Sequence, residues 1–552
     1  MINKIKEFVS RPLIIFALLF ALITPTIIPL LSPGFFPTQD YIYVARIYQM
    51  HKALMDGQFP VRWVPDFRYG EPLYNFYSPA AYYVGAIIKI FGFSYLDTTK
   101  ILLGLGFFLS GIAMYFLGRA LFGKFGGFMS AIFYVWAPYR SVDVYVRGAL
   151  SESWALIFFP LIFLFSYKQA INPNRKNFVF LSLSLAGLFY THNIMTLLFT
   201  PFFILWVTFL ILKDKKFFLI KNFSISFLLG IGLAASFLLP AFFEKDLTQS
   251  KYLLDGYFNF RGHFVAWPQF FSPFWGYGAS LWGSKDDMSF QLGLIHWVGI
   301  FIALPIALFF RKNKQMLMLV LFFAFLFTIS LFMQHNKSAP IWEAFSVLSY
   351  TQFPWRFLGI SIFFASLIAG SLGFYLKGKI AILGAGLVIA AVLYNYQYFH
   401  PDSYYLDSVD AHYMSEKVLS QDDKLPKDYL PIWVKEISKE KSILPMVKSG
   451  EVTFSDLKKR SDYLEFKSSG NTTSEIEAPL TYFPGWKAWI DGKEVIIKEP
   501  GGMGLVKIDL PEGDHFVQMK FTNNAIRNVG NFATIISLVL ILGILKFKQF
   551  RL

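Results

Sequence analysis

The chain has 552 residues, 55% hydrophobic and 19% aromatic against 16% charged, with no cysteine. That composition excludes an ordinary soluble globular protein, a disulfide scaffold, thiolate metal sites and a cysteine nucleophile. The formal net charge is +15, but residues 400–527 hold 17 Lys+Arg against 21 Asp+Glu, so the basic excess belongs to the hydrophobic part, which argues against a nucleic-acid-binding module.

A membrane crossing needs roughly 20 apolar residues. Runs at 13–31, 101–121, 125–137, 154–167, 178–190, 194–212, 225–243, 292–310, 316–333, 357–376, 380–396 and 532–545 predict about twelve transmembrane helices. No small-residue cleavage site follows the first run, so it is expected to be an anchor rather than a removed signal. With the N-terminus inside and the spans alternating, twenty basic residues fall at inner ends. They are Lys4, Lys6, Arg11, Arg119, Lys124, Lys168, Arg175, Lys176, Lys213, Lys215, Lys216, Lys221, Arg311, Lys312, Lys314, Lys377, Lys379, Lys546, Lys548 and Arg551. Only Glu7 and Asp214 oppose them. This asymmetry predicts a multi-pass protein of the cytoplasmic membrane with both termini in the cytoplasm.

The long connections, 32–100, 138–153, 244–291, 334–356 and 400–527, then lie outside, where long loops carry binding and catalysis. Residues 1–399 read as the membrane domain. Residues 400–527 alternate apolar and polar in "DYLEFKSSG" and "HFVQMKFT", with turn signals at Asp491-Gly492 and at "PEGD", which predicts an extracytoplasmic antiparallel β-sandwich. Residues 528–552 supply a final anchor helix and a basic tail. The overall expectation is an α-helical polytopic membrane protein with a C-terminal β-domain.

Of the fourteen basic residues on the outer face of the membrane part, seven are arginines: Arg46, Arg62, Arg68, Arg140, Arg147, Arg261 and Arg356. Arginine suits fork-like recognition of phosphate and carboxylate, so the set points to an anionic ligand at the outer surface. After the helix breakers of "SPGFFP", Thr38 is expected to cap a helix with Asp40 in its first turn. Asp40 reads either as a helix-N-terminal acid or as a general base or divalent-metal ligand. Six positions separate it from Arg46, so on one helix the two would not share a face. "YVRGALSESW" sets Arg147 and Glu152 before a span, Glu152 being a second candidate acid. His192 lies in the turn "YTHN"; Arg261, His263 and Trp267 lie in "RGHFVAWPQ"; Trp355 and Arg356 lie in "TQFPWRFLG". Aromatics there suit either an interfacial belt or stacking on a sugar. The chain has no phosphate-binding glycine loop, paired zinc histidines or Gly-x-Ser-x-Gly elbow.

The ordered strings "DGQFPVRWVPDFRYGEPLYNFYSP", "YVRGALSE", "YTHN", "SFQLG", "TQFPWRFLG" and "YFPGWKAWIDGKEV" resemble a bacterial family of large membrane proteins labelled 6-pyruvoyl-tetrahydropterin-synthase-related. More distantly, the plan resembles the GT-C superfamily of glycosyltransferases. That resemblance implies transfer of a hexose or pentose from a polyprenyl-phosphate carrier to an extracytoplasmic acceptor, a cell-envelope glycan or glycolipid. It would make Asp40 the first-loop acid, with Glu152 beside it and a divalent metal ion as an optional partner of both. Arg46, Arg147, Arg261 and Arg356 would hold the phosphate, with His192, His263, Trp267 and Trp355 lining the sugar or lipid path. Such proteins often read Asp-x-x-x-His-x-Arg, whereas Val44 stands here between Asp40 and Arg46, so only the carboxylate carries over. The other reading of the same features is a flippase or assembly factor for lipid-linked glycans. Membrane lipids are the expected partners, and the oligomeric state is left open.

Overall fold

A computed structural model describes residues 12–283, 285–310, 313–421, 427–438 and 440–546. Of the predicted inner-face cations, Lys4, Lys6, Arg11, Arg311, Lys312, Lys548 and Arg551 fall outside these residues, as does the tail beyond Lys546.

All twelve apolar runs are helical, but not all are separate, full-length spans. Among the described residues, eight helices are long and apolar enough to cross a membrane, or nine if one bent pair counts as a single span. The chain is thus a multi-pass membrane protein. The first crossing joins α1 (Pro12–Ile23) to the 3-10 stretch Thr24–Leu31. In the long connection that follows lie α2 (Tyr43–Met55) and α3 (Ala80–Ile90). The expected spans at 101–121 and 125–137 are the two arms of α4 (Tyr95–Val135), which turns back on itself at the non-helical Gly123, φ +84, so that Gly118 packs against Gly127 and Ser130. Glycine enters that region without the Cβ clash another residue would meet.

Next come α5 (Leu150–Ile171), α6 (Arg175–Thr191) and α7 (Asn193–Asp214). The expected span at 225–243 is broken into α8 (Leu219–Leu233) and α9 (Ala235–Phe243), which meet at 77°. Then follow the shorter α10 (Leu294–Phe309), α11 (Lys314–Phe332), α12 (Leu358–Tyr375), α13 (Ala381–Asn395) and the final α14 (Ala525–Lys546). Helix α12 is buried along nearly its whole length against α4, α10 and α11, and phenylalanines such as Phe159, Phe199 and Phe363 stack around it.

The eight strands are β1 (Met446–Ser449), β2 (Val452–Arg460), β3 (Tyr463–Gly470), β4 (Ser474–Thr481), β5 (Trp486–Ile490), β6 (Lys493–Val495), β7 (Leu505–Leu510) and β8 (Gly513–Phe521). They form two antiparallel sheets, ordered β1-β4-β7 and β2-β3-β8-β5-β6. Register pairs Phe466 with Val517 and Leu464 with Met519, so one face of the larger sheet is apolar and closes on Ile476, Val506 and Ile508 of the smaller. Asp491 and Gly492 both adopt positive φ in the tight β5–β6 turn, as a two-residue hairpin requires. Two residues of the first long loop, Trp63 and Phe76, complete this core, Trp63 packing edge-on to Trp486 at 5.3 Å.

The expected helix start at Thr38 is corrected. Helix α2 begins at Tyr43, and Asp40 lies in the segment before it. The amides of Gln39 and Asp40 donate instead to the carbonyls of Val146 and Arg147, at 3.0 and 2.9 Å.

Candidate functional site

That backbone pairing joins two loop segments whose side chains meet in one place. Gly148 makes it possible. Its φ is +68, and a Cβ there would lie 2.6 Å from the Tyr43 ring and 2.8 Å from the Asp40 carbonyl oxygen. Beside this junction opens a cavity of about 660 Å³. Asp40, Arg46, Arg147, Glu152, His192, Trp355 and Arg356 all line it, contributed by segments far apart in the chain.

On one side, Asp40 pairs with Arg46 at 3.3 Å. The helical spacing argument predicted otherwise; it fails because Asp40 precedes the helix and folds back over it. Arg46 is buried, and its guanidinium lies 4.1 Å from the Tyr77 ring centroid. Burial works against its charge, but Tyr77 and Asp40 hold the group well above its ordinary pKa, so it is a fixed cation. Val44 is fully buried in the core of the bundle, where it offers no polar group to the cavity.

On the other side, one guanidinium is clamped by two acids. Arg147 donates to Asp143 Oδ1 at 2.5 Å, to Glu152 Oε2 at 2.9 Å and to the Tyr139 hydroxyl at 3.2 Å. Tyr139 in turn donates to Glu152 Oε1 at 2.6 Å. Arg356 Nε sits 3.5 Å from Glu152 Oε2, and its Nη1 donates to the Thr351 carbonyl at 2.8 Å and to Gln352 Oε1 at 3.2 Å. Arg147 also lies over the Trp355 ring at 4.6 Å. Burial, with the Glu152 charge adding to it, pushes the Asp143 carboxyl up. The wide turn Val142–Val146 carries Asp143 and leads into Arg147, which sets them four positions apart and facing each other.

His192 caps α7, its Nδ1 accepting the Met195 amide at 3.0 Å. Burial lowers its pKa to about 3, so the ring stays neutral.

Three candidates stand elsewhere. Arg261 is half-exposed and pairs with Glu343 at 2.9 Å. Trp267 is exposed and stacks on His335. His263 is buried behind the wall, bonded to Ser280 Oγ at 2.8 Å and to the Tyr257 carbonyl at 2.5 Å, both of them lining residues. Their shared sequence neighbourhood suggested one ligand surface, but the short 3-10 turns between residues 256 and 270 send the three side chains in different directions.

The cavity also holds residues that local sequence did not single out: Tyr77, Tyr257, Lys427, Asp428 and Tyr429. A signal existed only for Asp143, whose spacing to Arg147 is that of an intrahelical ion pair. Asp428 belongs to the segment before β1 and has no local motif.

The lining carries four cations, Arg46, Arg147, Arg356 and Lys427, against Asp40, Glu152 and Asp428. Arg46 Nε, Trp355 Nε1 and Arg356 Nε have no hydrogen-bond partner among the described residues. Buried donors of this kind ordinarily find one, so these three can serve an acceptor-rich ligand in the cavity. A divalent metal between Asp40 and Glu152 does not fit this donor set. Both Glu152 oxygens already accept from Tyr139 and Arg147, and a cation there would meet two guanidiniums. No three His, Asp or Glu side chains group as metal ligands among the described residues.

No family model matches the chain. An uncharacterized protein of Lactococcus lactis subsp. cremoris (strain MG1363) is 26% identical over 226 residues, which is 38% of this chain and 36% of that protein. The similarity thus spans about a third of the relative's length. The apo crystal structure of the Archaeoglobus fulgidus oligosaccharyltransferase aligns with 75% of this chain and 61% of its own, at a TM-score of 0.33 and 13% identity.

Proposed function

We propose that the protein is a membrane glycosyltransferase of the GT-C type, moving a sugar from a polyprenyl-phosphate carrier to an acceptor on the outer face of the cytoplasmic membrane, a cell-envelope glycan or glycolipid. The observation that carries this reading is the convergence of Asp40 with Arg46, Arg147 and Arg356 on one cavity. Both termini lie in the cytoplasm in this reading, and the β-sheets outside.

The chemistry follows from the charges. A sugar on a phosphate carrier already has a good leaving group, so the site must stabilise the departing phosphate and prepare the acceptor hydroxyl. Fixed guanidiniums in a partly dry cavity meet the first need, because donors held in place cost no reorganisation as charge develops. Arg147 and Arg356 are held by Glu152, so Glu152 acts through them as a positioning residue. Asp40, more accessible than the others, orients the acceptor hydroxyl. Tyr257, exposed at the cavity wall, offers a face on which a sugar ring can lie.

Binding tests the donor half directly. Polyprenyl phosphate titrated into the detergent-solubilised protein should bind, and Arg147→Ala should weaken it by on the order of 10- to 100-fold, the loss expected for a charged hydrogen bond of about 1.5–3 kcal/mol. Equal affinity in Arg147→Ala and Arg356→Ala would remove the phosphate from this cavity.

A further inference from the structure

Lys427, Asp428 and Tyr429 lie on the segment between α13 and β1, yet they reach into the wall of the cavity that holds Asp40. Asp428 is 8% exposed. Its Oδ1 has no hydrogen-bond partner among the described residues. The Tyr429 hydroxyl and its own amide bond the carboxyl, Arg46 and Asp40 act on its charge through the cavity, and Arg68 and Glu71 do so from the first long loop, but no ion pair holds it. A buried carboxyl left without a cation partner is unusual, and such groups gather at functional sites.

Asp40 stands differently: its side chain is 38% exposed and paired with Arg46. The exposed carboxylate, placed to meet an acceptor, is thus already engaged by Arg46, while the buried one in the same cavity wall keeps an oxygen without a hydrogen-bond partner among the described residues.

We propose that Asp428 is a second catalytic carboxyl: Asp40 orients the acceptor hydroxyl, and Asp428 receives its proton. This rests on the sugar-transfer reading above. In the step, the acceptor oxygen bonds to the anomeric carbon. The bond from that carbon to the carrier's phosphate oxygen breaks, and its electron pair stays with the phosphate. The hydroxyl proton ends on a carboxylate oxygen of Asp428. No oxidant, reductant or further reactant enters the balance.

Burial pushes the Asp428 carboxyl up to about 6, against the pull of Arg46. A general base acts only when ionised, so the rate should rise as pH increases through about 6 and level off above it.

The test uses the full chain in phospholipid vesicles, supplied with a labelled polyprenyl-phosphate hexose. Water and a membrane-glycolipid extract serve as acceptors, and kcat and donor KM are followed across the acidic range. Asp428→Asn should lower kcat on the order of 10²-fold, leave donor KM within a few-fold and remove the acidic limb. Asp428→Glu should restore part of the rate together with a limb. If Asp428→Asn keeps the wild-type kcat, or loses rate while keeping the limb, the assignment fails and sugar transfer stands. If the wild-type protein transfers hexose from no donor, both fail. Should Asp428→Asn not fold, the Asp428→Glu profile decides: a limb at the wild-type position with undiminished kcat overturns the assignment.

Discussion

Glu152 shows how much one buried residue can organise. Its two oxygens accept from Tyr139 and Arg147 and face Arg356, with 1% of the residue exposed. Glu152→Gln would leave two guanidiniums short of a counter-charge in a buried site. Breaking such a pair costs about 3–5 kcal/mol, so the thermal midpoint should fall and donor binding should weaken together. A variant of unchanged stability would contradict the clamp. His192 makes a prediction of the opposite kind. Its ring is neutral down to about 3 in the folded state, below the ordinary histidine value. The unfolded chain therefore binds the extra proton first as pH falls, and His192 withdraws stability between about 6.5 and about 3 rather than adding it. No step in rate near 6.5 should belong to this residue, and His192→Asn, which can keep the helix cap, should leave the pH profile in place. A lost step in that variant would show that the ring titrates in the working range.

At the scale of elements, the site depends on two irregular segments. The stretch before α2 and the wide turn before α5 pair through backbone hydrogen bonds, and Gly148 permits the approach. Gly148→Ala must accommodate a Cβ within 3 Å of Asp40 and Tyr43 while holding a positive φ. Transfer should fall by more than the small loss of stability explains, because the substitution displaces Asp40 from Arg147 rather than opening the core. Wild-type kcat in that variant would separate the junction from the chemistry. This junction also marks where the sequence was readable. The twelve apolar runs, the hairpin at Asp491-Gly492 and the strands around it were legible because each follows a local period or turn preference. The break at Ala234 was not, since composition reports apolar length but not where a helix bends. Asp40 was legible as a polar residue ending a hydrophobic run. Its ion pair with Arg46 was not, because the helix was assumed to start too early.

At the scale of the molecule, the β-domain is tied to the membrane part by its own core. Trp63 and Phe76 from the first long loop sit among Trp486, Phe483 and Phe521. Beneath them, Arg527 at the start of α14 pairs with Glu244 at 3.1 Å and donates to the carbonyls of Thr522 and Pro484. Arg62 reaches Asn531 of the same helix at 2.8 Å. One buried polar cluster thus joins the first long loop, the end of α9, the β-sheets and the final helix. Trp63→Ala removes a fully buried indole, at a cost of about 3–5 kcal/mol. Limited proteolysis should then release the β-sheets from the bundle earlier than in the wild-type protein; an unchanged cleavage pattern would mean the tie is not structural. The same arrangement explains why Asp428 escaped sequence reasoning. It reaches the cavity through the docking of a distant module, which no local pattern records.

The most direct test of sugar transfer compares the purified wild-type protein with Asp40→Asn in vesicles carrying a labelled polyprenyl-phosphate hexose. The predicted result is transfer of label by the wild-type protein, reduced by on the order of 10²-fold or more in the variant, with carrier binding retained through Arg147 and Arg356. Equal transfer by both proteins would remove Asp40 from the reaction. No transfer, with the labelled lipid moving between leaflets instead, would contradict the enzyme and identify a lipid-linked sugar flippase.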